Sequence, residues 1–204
     1  MSFKSNASKP PAITPSAVGT YGGLTNTVAN SPRIYLAPGH YLLRVDSFRL
    51  RTGFKGESHI ATMTVVHSFS DSEPGATTVG TQVADVMKRT NRMFMPRLRG
   101  FLDAAGDLTQ ADWNSQPADD IVREALGDEQ PLAGRVVEVR AAVGIKEGSQ
   151  QKPRSELVPG VDTYVGTSYV RSIGAGEIKS TLRPEALVQF FPDIEQQVAA
   201  ESDA

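Results

Sequence analysis

At 204 residues the chain can bury a sizeable core and suits one domain with appendages, or at most two small ones. Its formal net charge of -2 excludes a globally basic binder of nucleic acid, so any attraction for phosphate has to come from a local patch. The lack of cysteine excludes disulfides, thiolate metal sites and a cysteine nucleophile, and no apolar run has the length of a membrane span or the character of a signal-peptide core. A soluble, unexported protein is expected.

Residues 1–33 are rich in Ser, Thr, Asn, Gly and Ala, with Pro10, Pro11, Pro15 and Pro32 breaking any helix, and read as an extended arm. Residues 34–173 carry the strand and helix patterns of the main domain. After the turn cluster Ala37-Pro38-Gly39, Tyr41, Leu43 and Val45 alternate with Leu42, Arg44 and Asp46, and Phe48 and Leu50 continue the second of these faces. Thr52-Gly53-Phe54-Lys55-Gly56 is a turn whose glycines permit chain reversal, and Arg49, Arg51 and Lys55 make it basic. A second strand is expected from His59 to His67 and a third from Val79 to Met87, where Gly80 suggests a bulge or a close approach.

Phe94, Leu98, Phe101, Leu102 and Ala105 have helical spacing, with Pro96 in the first turn and Gly106 as C-terminal cap. Trp113 falls in a connecting loop as a packing anchor, and a second helix runs from Asp119 and Asp120 to Gly127. Val137, Val139, Ala141 and Val143 alternate in a fourth strand, a long polar loop with Lys146, Lys152 and Arg154 follows, and Thr163 to Ile173 supplies a fifth. Residues 174–204 hold the loop Gly174-Ala175-Gly176, a helix from Pro184 to Phe191 and an acidic tail. Three strands, helical material and two strands suit a mainly β protein, a five-stranded OB-like barrel with its helical insertion between strands 3 and 4.

Two basic runs stand out. One surrounds Phe54 in the first turn; the other, Lys88 to Leu102, carries Lys88, Arg89, Arg92, Arg97 and Arg99 and no acid. Cations beside an exposed aromatic can neutralise phosphates and stack a base, the physics of single-strand binding. A solvated hairpin tip and a solvated helix face account for the same residues without any ligand.

Leu36-Ala37-Pro38-Gly39-His40-Tyr41, Gly53 to Gly56, Phe101-Leu102-Asp103-Ala104-Ala105-Gly106 and Leu132-Ala133-Gly134-Arg135-Val136-Val137 together resemble, in order and composition, a family of small bacteriophage proteins. That family is regarded as single-stranded-DNA-binding, OB-fold-like accessories of replication or recombination. The resemblance covers roughly residues 34–173 and departs from the family at Glu57, an acid directly after the loop glycine. It implies a phage protein of the host cytoplasm that binds single-stranded DNA. Arg49, Arg51, Lys55, Lys88, Arg89 and Arg92 would track the backbone, and Phe54 or Tyr169 would stack bases. The acidic tail would meet replication or recombination proteins, and self-association stays open.

Nothing points to catalysis or to a cofactor. His40, His59 and His67 lack the carboxylate spacing of a metal site, and there is no phosphate-binding Lys-Ser/Thr loop and no Gly-x-Ser-x-Gly elbow. Asp112, Asp119 and Asp120 could be assembled into a metal-dependent nuclease centre, yet they sit where helix capping explains them. The main alternative to DNA binding is a phage structural or interaction protein that uses the barrel as scaffold and grips its partners with the arm and the apolar stretch Leu187 to Phe191.

Overall fold

A computed structural model describes residues 36–54, 56–70, 76–145 and 163–202. The expected arm over residues 1–33 lies outside them, as do Lys55 and the loop cations Lys146, Lys152 and Arg154. Five strands are present: β1 (Gly39–Gly53), β2 (Gly56–Ser68), β3 (Gln82–Lys88), β4 (Val136–Ile145) and β5 (Thr163–Ile173). They form an antiparallel sheet in the order β3-β2-β1-β4-β5.

The expected closed barrel is not what these strands make. The sheet is open, with β3 and β5 as its edges and no backbone pairing between them among the described residues. Helix α1 (Phe94–Gly106), the expected insertion between β3 and β4, packs chiefly on β5 and also touches β3 and β4. Side chains bridge the two edges instead of backbone: Asp85 of β3 accepts hydrogen bonds from the Tyr169 hydroxyl of β5 at 2.8 Å and from Arg97 of α1 at 2.6 Å.

One face of the sheet and α1 enclose the larger core. Tyr41, Leu43, Val45, Phe48, Met63, Val65, Met87, Val137 and Val139 meet Phe94, Leu98, Phe101, Leu102 and Ala105 there, so the helical spacing in the sequence is the buried stripe of α1. The helix ends at Gly106, and its left-handed cap is Asp107, at φ 55°, rather than the glycine.

Phe48 belongs to this core, not to the outer face that simple alternation assigns it. The pairing of β1 with β2 runs Val45↔Met63 and then Ser47↔Thr62, leaving Asp46 as an extra residue. Such a bulge shifts the alternation by one, so Phe48 returns to the core and Arg49 and Arg51 turn outward. The Asp46 carboxylate is held where it emerges by Thr64 Oγ1 at 2.7 Å, Gln82 Nε2 at 3.2 Å and Arg44 Nη2 at 3.2 Å.

Helices α2 (Gln110–Ser115) and α3 (Ala118–Ala125) follow α1. The first replaces the expected loop around Trp113, whose indole is nevertheless an anchor, donating to Asp103 under the Arg99 guanidinium. Asp112 caps α2 by accepting from the Thr109 amide and hydroxyl, both at 2.6 Å, and these bonds hold its carboxyl below the ordinary carboxylate range. Asp119 and Asp120 occupy the first turn of α3, where Asp120 pairs with Arg123 at 2.6 Å.

Beyond β5 the expected helix is present as α5 (Pro184–Phe190), and two further helices, α4 (Ala175–Thr181) and α6 (Ile194–Ser202), stand where a loop and a tail are expected. They cover one end of the outer sheet face, where Leu42, Val66, Val136 and Ile173 meet Ile178, Leu182, Phe190, Phe191 and Ile194. Polar ties reinforce this second core. Arg171 of β5 bridges Glu138 of β4 and Glu177 of α4, His40 reaches Glu138 at 2.8 Å, and Arg44 donates to the Phe190 carbonyl at 3.0 Å. No described helix is long and apolar enough to cross a membrane.

Candidate nucleic-acid interface

The other end of the outer face carries cations. The register aligns Arg51, Ser58 and Lys88 in one row across β1, β2 and β3, Arg49, Ile60 and Val86 in the next, and Ser47, Thr62 and Ala84 in a third. Partners in register share a face. The intervening rows, with Phe48, Ala61, Met63 and Met87, point into the core. Arg49, Arg51 and Lys88 are exposed, Ile60 and Val86 lie half-buried among them, and these three rows contain no acid. No residue of the second core comes from these rows.

At the end of this surface Gly53 pairs with Gly56. Gly56 has φ 95°, a conformation that side chains resist, and Phe54 projects from the turn fully exposed. Arg89 does not join the platform: its guanidinium pairs with Glu57 at 2.6 Å, and Glu57 stands on the opposite side of β2 from Ser58. The acid that departs from the family pattern therefore takes a cation away from the face.

A second feature lies where α1 meets the far ends of β4 and β5. A groove of about 780 Å³ is lined by Arg92, Met93, Arg97, Val143, Tyr164 and Tyr169 among others, and among the described residues no carboxylate lines it. Tyr169 forms its inner wall, its ring edge-on to Phe101 at 5.2 Å and its hydroxyl bound to Asp85. Burial and the Asp85 charge push that hydroxyl well up, which keeps it a donor. Tyr169 is thus committed to the seam between β3 and β5, and the exposed aromatic of the groove is Tyr164.

Of the residues singled out in the sequence, Arg49, Arg51 and Lys88 come together, with Phe54 at their margin. Arg92 and Tyr169 meet at the groove instead, Arg89 is paired away, and Lys55 lies outside the described residues. Tyr164 carries no local signal in the sequence, because its exposure depends on the glycines of its own and the neighbouring strand. No family model matches this chain, and no curated protein matches it in sequence.

Proposed function

We propose that the chain is a single-stranded-DNA-binding accessory of a bacteriophage, with an OB-like fold left open at one seam, working in the host cytoplasm. The strand order supports the fold. With the helix between β3 and β4, the one pairing that would close the sheet is β3 with β5, and the OB fold is a partly open five-stranded barrel that binds oligonucleotides on strands 2 and 3 and on the neighbouring loops.

The observation that carries the function is the acid-free platform of Arg49, Arg51 and Lys88 around Ile60 and Val86, beside the exposed Phe54. Separated cations neutralise successive phosphates, an exposed ring stacks a base, and neither contact needs a particular sequence. The acidic C-terminal residues are the proposed contact for replication or recombination proteins. In the apolar stretch of the assembly reading, Phe190 and Phe191 are buried within the molecule and Leu187 packs beside them, while Val188 is exposed.

The test is equilibrium binding of a labelled oligonucleotide to Lys88→Glu and Arg51→Glu, with Arg123→Glu on α3 as a reversal of equal charge away from the platform. The two platform variants are expected to bind at least tenfold more weakly at low salt, and the α3 variant within about twofold of wild type. Equal losses in all three would make the attraction a matter of net charge and remove the platform.

A further inference from the structure

Resting on that reading, we infer that the groove between α1 and the β4–β5 pair is a subsite for one unpaired nucleobase, with Tyr164 as its stacking surface. Tyr164 is paired directly with Gly144 of β4 and stands two residues from Gly166 on its own strand. Its ring occupies the space in which both neighbours would carry side chains. A Cβ on Gly144 would come within 2.8 to 3.0 Å of the ring carbons and hydroxyl, and one on Gly166 within 3.3 Å. The two glycines therefore form a bed for the ring, and Tyr164, 53% exposed, lines the groove.

A rigid, half-exposed aromatic is suited to stacking, because little freedom is lost when a second ring settles on it. Its surroundings suit a nucleotide. Met93 and Val143 are exposed apolar neighbours, and among the described residues of the lining Arg92 and Arg97 are the cations and no carboxylate is present. Arg97 is ion-paired at 2.6 Å with the buried Asp85, which also accepts from Tyr169. The groove is large enough for a base with part of its sugar.

The experiment compares oligonucleotide binding by wild type, Tyr164→Ala, Tyr164→Phe and Gly144→Val, each with its unfolding midpoint measured. Loss of one stacked base weakens binding about five- to hundredfold, so Tyr164→Ala is expected in that range and Tyr164→Phe within about twofold of wild type. Gly144→Val, which lifts the ring from its bed, is expected to weaken binding as Tyr164→Ala does and to cost nothing more when the two are combined. The slope of log affinity against log salt is expected to stay unchanged in Tyr164→Ala, since no phosphate contact is removed, whereas Lys88→Glu lowers it. If wild type binds DNA but Tyr164→Ala binds equally well at an unchanged unfolding midpoint, the groove serves some other occupant, such as an aromatic side chain of a protein, and the subsite is refuted while the platform stands. If wild type itself shows no salt-sensitive binding, both fall.

Discussion

Tyr41 folds back over Gly39, which gives the Pro38-Gly39-His40-Tyr41 sequence a structural reason. A Cβ at position 39 would lie 2.6 to 2.9 Å from the fully buried Tyr41 ring, whose hydroxyl donates to the Pro38 carbonyl at 3.3 Å and accepts from the Thr77 amide at 3.2 Å. Gly39→Ala is expected to cost about 1–3 kcal/mol through overpacking, read as a lower denaturation midpoint with an unchanged m-value. His59 is the other informative residue. It is buried beside Phe48 and Phe94, and its Nδ1 has no hydrogen-bond partner among the described residues. Burial holds its pKa below the ordinary 6.5, opposed by the Glu57 carboxylate and reinforced by the Arg89 guanidinium. The unfolded chain therefore takes up a proton that the folded chain resists. Stability from the neutral ring is complete above pH 6.5 and is lost as the pH falls from there toward the lower folded value. Urea unfolding of wild type and His59→Phe across that window should show wild type losing more stability on acidification. Equal losses would mean that the ring titrates without regard to folding.

At the scale of elements, the bulge at Asp46 decides which residues face solvent. Deleting Asp46 would carry Arg49 and Arg51 to the core side and Phe48 outward, so the deletion variant is expected to lose cooperative unfolding by circular dichroism, whereas Asp46→Ala keeps the register and loses only the bonds from Thr64, Gln82 and Arg44. The C-terminal helices are equally structural. Truncation after Ile173 would bare Leu42, Val66 and Val136, each contributing about 1.5–3 kcal/mol by burial, and is expected to yield an aggregating protein. The five strands and α1 are legible in the sequence because their apolar residues repeat at the spacing of a strand or a helix. The bulge is not, since alternation carries no mark of an extra residue. Gly174-Ala175-Gly176 reads as a loop although Gly174 is the N-cap of α4, and the bed under Tyr164 exists only once Gly144 is paired across from it.

At the scale of the molecule, a net charge of -2 coexists with one end of a sheet face whose described rows hold three cations and no acid. Folding makes this separation: β1 and β3, far apart in sequence from Arg49 to Lys88, bring their basic ends to either side of β2, while Asp112, Asp119 and Asp120 are spent on the ends of α2 and α3. The basic runs are visible in the sequence, but their division between platform, groove and the Arg89–Glu57 pair follows from register alone. The most direct test is a salt titration of wild-type binding to a single-stranded oligonucleotide. Three platform cations, at about 0.7 counterion per neutralised phosphate, give an expected slope of roughly -2 in log affinity against log salt, falling toward zero in the Arg49→Ala/Arg51→Ala/Lys88→Ala variant. No binding at low ionic strength, or a slope that this triple variant leaves unchanged, would contradict the account.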